Sequence, residues 1–259
     1  MSYQTIHVSV MGSICKVRIN RPDVNNAINS QLIEDLGEVL TMCEDDNRLQ
    51  AITILVLEGL PEVFCSGGDF DAMTASSNGG QAPEPDPEPL YDLWLRMVRA
   101  SFICISVVRG RVNAGGIGFV AASDIVLADH SASFSLSELL FGLFPACVMP
   151  FLSRRTGLQK AHYMTLMTRV FTAQEALDAQ LVDALGDQIE VLLRTHLLRL
   201  QRLDKTAISR YKAYVAQLCD EPLLDKHAAL EANRTMFKDP QNLRNIARYV
   251  QEAKFPWEE

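Results

Sequence analysis

Twice the chain runs from an almost uninterrupted apolar stretch into a turn of small residues. AITILVLEG (51–59) leads to FCSGGDF (64–70), and ICISVVRG (103–110) leads to NAGGIGF (113–119) and on through VAASDIVLAD. A run that is apolar on successive residues, rather than on alternate ones, suits a strand covered on both faces. Parallel strands need a crossover, most often a helix. Glycine at the turn lets the backbone approach something closely. The feature therefore commits the chain to an α/β fold of recurrent strand–turn–helix units.

The remaining segments fit that scheme. IHVSVMGSICKVRIN (6–20) alternates around Met-Gly-Ser as a β-hairpin. NSQLIEDLGEVLTMCEDD (29–46) has helical spacing, with Asn29 or Ser30 as N-cap. TASSNGGQAPEPDPEP (74–89) reads as a loop, LYDLWLRMVRA (90–100) as a helix and IVLADHSASFSL (125–136) as strand. From about residue 157 the pattern is helical, in QKAHYMTLMT, TAQEALDAQ and QIEVLLRTHLLRLQRL. One α/β domain with a helical C-terminal region is expected, its core at 1–195 and the helical region at 196–259.

Composition narrows the function. A net charge of −8 argues against nucleic acid as a partner, whose binding footprint is basic. No apolar run reaches the roughly 18 residues of a membrane span, and MSYQTIHVSVMGS lacks the basic start and apolar core of a signal peptide. The six cysteines are scattered without a C-x-x-C pair, which speaks against a metal site and for a cytoplasmic location.

Neither glycine turn matches a phosphate loop, since G-x-x-x-x-G-K-[ST] and G-x-G-x-x-G are both missing. Two such turns can instead offer two backbone N–H groups to one carbonyl oxygen, an oxyanion hole. Small residues also serve close packing of helix on strand, so both readings stand at this point. Glu138, in SASFSLSELLFGLFPAC, is the only acid between Asp129 and Gln174 and is followed by an apolar stretch. Such surroundings raise a carboxyl pKa and suit it to proton transfer. The alternative is an acid at a helix start, capped by Ser137 or Ser135.

In their order, INRPDVNNAINSQLIEDL, FCSGGDF, GRVNAGGIGFVAASDIVLAD, FSLSELLFGLFPA and TAQEALDAQLVDAL resemble the crotonase (enoyl-CoA hydratase/isomerase) superfamily over nearly the whole chain. The resemblance implies a spiral of ββα units with a helical trimerisation region, assembled as a homotrimer or hexamer. It assigns the oxyanion-hole N–H groups to Gly68 and Gly115 and a catalytic glutamate to Glu138. Hydratases of the family carry a second glutamate where this chain has Gly118, so a standard two-glutamate hydratase is not expected.

The segments LEGLPEVFCSGGDF, EPLYDLW and ASFSLSELLFGLFPACVMPFL resemble one subgroup further, the polyketide β-branching dehydratases. That resemblance implies loss of water from 3-hydroxy-3-methylglutaryl-ACP to give 3-methylglutaconyl-ACP. It involves no metal or redox cofactor, the acyl group arriving on the phosphopantetheine of an acyl carrier protein. Asn113 is a candidate for orienting the hydroxyl or water, or else a turn-stabilising residue. Ser66, Tyr91 and Trp94 are candidates for the acyl pocket, with a core reading open for the last two. Basic islands at Arg154, Arg155 and Lys160, and at Arg194, Arg199, Arg202, Lys205, Arg210 and Lys212, are either carrier-steering patches or solvated helix faces. Decarboxylation of the glutaconyl product and a non-catalytic scaffold are the competing functions.

Overall fold

The computed structural model describes residues 3–45, 51–69 and 86–258. The loop expected at 74–89 lies mostly outside them, as does any helix directly after FCSGGDF.

Alternation between two sheets organises the chain. Strands β1 (Ile6–Met11), β2 (Ile14–Ile19), β3 (Ile54–Glu58), β5 (Ile103–Val108), β7 (Ile125–Ala128) and β10 (Ala184–Leu185) form a six-stranded sheet in the order β1-β2-β3-β5-β7-β10. Strands β4 (Val63–Cys65), β6 (Arg111–Asn113), β8 (Ser133–Ser135) and β9 (Phe171–Thr172) form a second sheet in that same order. Each of β3–β4, β5–β6 and β7–β8 thus sends one strand to each sheet. The expected hairpin is the antiparallel pair β1–β2, while β2, β3, β5 and β7 run parallel.

Burial of β5 follows the unbroken apolar run in its sequence: all six residues are buried. Ile103, Ile105 and Val107 face one layer, with Ile189, Leu193 and Ile208 from the C-terminal helices Ile189–Leu200 and Lys205–Leu218. Cys104 and Val108 join the larger core on the other face, with Trp94, Phe119 and Phe151. This is the period of two that a strand imposes. The division expected between residues 195 and 196 falls inside the first of those helices.

Helix α1 (Ser30–Glu44) starts at Asn29, whose side chain accepts a hydrogen bond from Leu32 N at 2.9 Å. Helix α2 (Glu88–Arg99) and helix α3 (Gly115–Ala122) pack side by side in the larger core. Helices Lys226–Lys238 and Pro240–Glu252 make a smaller cluster with Phe141, Leu143 and Ala146. No helix among the described residues is long and apolar enough to cross a membrane.

Candidate active site

Strands β4, β6 and β8 lie parallel and adjacent, so the turns that leave them emerge at one end of the small sheet. Those turns carry Ser66-Gly67-Gly68, Ala114-Gly115 and Ser137-Glu138. The carboxyl ends of parallel strands are where open α/β sheets hold ligands.

The two glycine turns touch. Gly67 has φ +95°, open to glycine at little cost, and a Cβ there would meet the Ala114 Cβ at 2.8 Å and the Gly115 nitrogen at 3.4 Å. A Cβ built on Gly115 would sit 4.0 Å from the Gly68 nitrogen. A bridge to Ile28 holds the first turn through Ile28 N to Gly67 O (2.7 Å) and Asp69 N to Ile28 O (3.1 Å). That bridge does not use the N–H of Gly68. Gly115 opens α3, where the first N–H groups have no acceptor within the helix. Ala114 just before it is held at φ 49°, ψ −121°, a backbone conformation that costs a non-glycine residue energy and recurs at functional turns. Gly68 and Gly115 are half-exposed among buried neighbours.

A lattice of side chains fixes the first turn from behind. Asn26, fully buried, donates to Val63 O and Phe64 O at 3.1 Å each and accepts from Arg21 N at 2.8 Å. Arg21 also bonds Ala27 O and pairs with Asp69 at 3.2 Å. These anchors lie in INRPDVNNA and CSGGD, yet their function shows only once the chain has folded.

Asn113 ties all three turns together. Its amide nitrogen reaches Ser66 O (3.4 Å) and the Ser137 hydroxyl (3.2 Å), while its oxygen accepts from the Ser135 hydroxyl at 2.8 Å. This arrangement matches the turn-stabilising alternative. Ser66 enters through its backbone carbonyl. The Ser137 hydroxyl is engaged with Asn113 and makes no side-chain cap for the short 3-10 helix Glu138–Phe141.

Glu138 opens that helix. Its Oε2 is buried and, among the described residues, has no hydrogen-bond partner. Desolvation pushes its pKa from 4.5 to about 7, against a smaller pull from the backbone N–H groups of Glu138 and Ser137. Such a carboxyl exchanges a proton readily near neutrality, as base or acid.

Gly118 has a steric explanation. A Cβ there would lie 2.3 Å from Cζ2 and 2.5 Å from Cε2 of Trp94, so the indole occupies the space a side chain at 118 would enter. Trp94 is wedged edge-on between Phe119 (5.8 Å between centroids) and Phe151 (5.7 Å). Its Nε1 is buried with no partner among the described residues. An unmet buried donor costs about 1–3 kcal/mol.

Tyr91 and Trp94, candidates for the acyl pocket with a core reading open, both lie in the larger core. Tyr91 is fully buried, its hydroxyl donates to Pro222 O at 2.5 Å, and burial raises its pKa. Three cations of the basic islands are also engaged elsewhere. Arg155 bonds Leu181 O, Ser123 O and Asp183; Lys212, itself buried, bonds Met97 O, Phe102 O and Asp124; Lys205 bonds Cys43 O and Glu44 O. Arg194, Arg199, Arg202 and Arg210 are exposed. Arg155, Lys205 and Lys212 hold helices in place, and their charges are not presented to a partner.

Comparison with known proteins identifies the family. The family profile described as enoyl-CoA hydratase/isomerase matches residues 9–259. The bacillaene synthase dehydratase PksH of Bacillus subtilis (strain 168) is 51% identical over 259 residues, covering 100% of this chain and 98% of the relative. The crystal structure of the pksH protein from Bacillus subtilis superposes with a TM-score of 0.94, at 51% identity, over 98% of this chain and 100% of the other. An enoyl-CoA hydratase/isomerase from Xanthobacter autotrophicus Py2 shares the fold, with a TM-score of 0.85 at 20% identity over 97% of this chain and 94% of the other. The chain belongs to the enoyl-CoA hydratase/isomerase family.

Proposed function

We propose that the protein is an enoyl-CoA hydratase-like dehydratase that removes water from 3-hydroxy-3-methylglutaryl-ACP in polyketide β-branching, giving 3-methylglutaconyl-ACP. The observation that carries the reading is Glu138, whose buried Oε2 has no hydrogen-bond partner among the described residues, on the turn beside the paired glycine turns and with no side chain at 118 to act as a second acid. The 51% identity to a bacillaene synthase dehydratase supports the reaction class.

In this reading the thioester oxygen sits between the N–H groups of Gly68 and Gly115, which stabilise the enolate as charge develops. Ionised Glu138 takes the C2 proton. The C2–C3 double bond forms as the C3–O bond breaks, and the departing oxygen takes the proton back from Glu138 and leaves as water. One carboxyl, returned to its starting state, serves both steps. A tertiary C3 shares developing positive charge better than a secondary one, which lessens the need for a second acid. Asn113 sets the spacing of the three turns. The substrate arrives on an acyl carrier protein in the cytoplasm, and the protein works as a homotrimer or hexamer.

The experiment is incubation of the purified protein with 3-hydroxy-3-methylglutaryl-ACP and, separately, 3-methylglutaconyl-ACP, followed by mass spectrometry. Loss of water from the first is expected. Loss of carbon dioxide from the second alone would make the protein a decarboxylase, and no change in either would make it a scaffold.

A further inference from the structure

We propose that the indole Nε1–H of Trp94 donates a hydrogen bond to the oxygen leaving C3, in the place that position 118 leaves without a side chain. The inference rests on the dehydration reading above. Three observations converge on it. Cε2 of the indole, the carbon bonded to Nε1, lies 2.5 Å from where a Cβ on Gly118 would be. Gly118 stands three residues after Gly115 in α3, so it shares a helix face with the oxyanion-hole turn. Nε1 is buried with no partner among the described residues, and Glu138 Oε2 is in the same condition.

The chemistry of the group decides what it can serve. An indole N–H donates and does not accept, and it does not give up its proton near neutrality. It is therefore useless for activating a water but suited to an oxygen that gains negative charge as its bond to carbon breaks. Proton transfer stays with Glu138: the C2 proton passes to its carboxylate and on to the departing oxygen, which keeps the electron pair of the C3–O bond. Trp94 holds that oxygen in place and stabilises the charge it gains in the transition state. A donor in this position thus suits β-hydroxyacyl thioesters, whose C3 oxygen it can hold through the transition state.

The test uses Trp94→Phe, which keeps an aromatic ring and removes the N–H. Two reactions are read on the intact protein: water loss from 3-hydroxy-3-methylglutaryl-ACP, and exchange of the C2 proton for deuterium in 3-methylglutaryl-ACP, which has no hydroxyl. Water loss should fall roughly hundred- to thousand-fold in kcat, as for other lost transition-state donors. Exchange should stay within about twofold of wild type, because the enolate and Glu138 are untouched. A parallel fall in both reactions, or no fall in water loss, would overturn the role of Trp94. Wild type that exchanges the C2 proton yet releases no water would overturn the dehydration reading itself.

A second measurement does not depend on the Trp94 variant. The chain has two tryptophans, Trp94 and the exposed Trp257, so the indole N–H resonances are assignable with Trp257→Phe. In Glu138→Gln protein, whose turnover should be about 10³-fold slower, the Trp94 resonance should move downfield with 3-hydroxy-3-methylglutaryl-ACP and stay in place with 3-methylglutaryl-ACP. No movement, or equal movement with both, counts against the proposal.

Discussion

In the proposed mechanism one carboxyl, Glu138, supplies both halves of the proton-transfer cycle. Burial raises its pKa to about 7, so at neutral pH it is present in both forms. The base must start ionised, so kcat/KM should climb with pH and level off above about 7, a slope visible in a pH–rate profile. Glu138→Gln should cost roughly 10³-fold in water loss, within the usual range for a general acid–base residue. The same shift has a stability sign. A carboxyl raised in the folded state stabilises fully below the ordinary carboxylate range, and that contribution is lost as pH climbs through 7. Glu138→Gln should therefore melt above wild type at pH 8, by at most about 3 kcal/mol, with a smaller gap at pH 5. Gly118 makes a separate prediction. Gly118→Ala pushes a methyl into the Trp94 indole at 2.3 Å and should destabilise by about 1–3 kcal/mol in denaturant melts. In a Trp94→Leu background most of that cost should vanish, as a double-mutant cycle would show.

At the level of elements, the geometry of the candidate site comes from three short parallel strands ending together. Asn113, on the middle strand, is bonded to the turns of both neighbours, so its loss loosens the glycine turn and the Glu138 turn at once. Asn113→Ala should lower kcat by about 10- to 100-fold, since small misplacements of reacting groups are costly. Its effect on melting should stay near 1–3 kcal/mol, the cost of a few unmet polar groups. The C-terminal helices bear on the same turn from outside. Asn245 donates to Phe141 O at 3.2 Å, and Phe141 packs on Tyr249 and Phe255 with centroids 5.1 and 5.9 Å away. The short helix that begins at Glu138 is thus clamped by segments a hundred residues further along the chain. The helical tail supports the site as well as extending the fold.

Over the whole molecule, what could be read in advance was what local composition determines. The apolar runs gave β3 and β5 because a strand covered on both faces must be apolar throughout. Glu138 stood out because no other acid lies near it in the chain. The packing of Trp94 over Gly118 could not be read, because it joins α2 to α3 across 24 residues. Nor could the engagement of Lys205 with carbonyls at 43 and 44, 162 and 161 residues away. A charge in a sequence does not say which carbonyl it will meet. That distinction governs how this protein would meet its carrier. The chain carries −8, and an acyl carrier protein is itself acidic, so the two repel at long range. Productive encounter then depends on a local positive face. With Arg155, Lys205 and Lys212 engaged inside the fold, the exposed Arg194, Arg199 and Arg202 along one helix and the turn after it, with Arg210 on the next helix, are what remains of the second island. Attraction between exposed charges fades beyond about 8 Å at physiological salt. Turnover of the ACP-bound substrate should therefore fall in kcat/KM as salt rises, whereas the CoA thioester should change little. Arg199→Glu should lower kcat/KM for the ACP substrate and flatten its salt dependence, leaving kcat unaltered, because the charge acts on encounter and not on bond breaking. If both thioesters respond to salt alike and Arg199→Glu changes neither, this helix face is merely solvated and the carrier docks elsewhere.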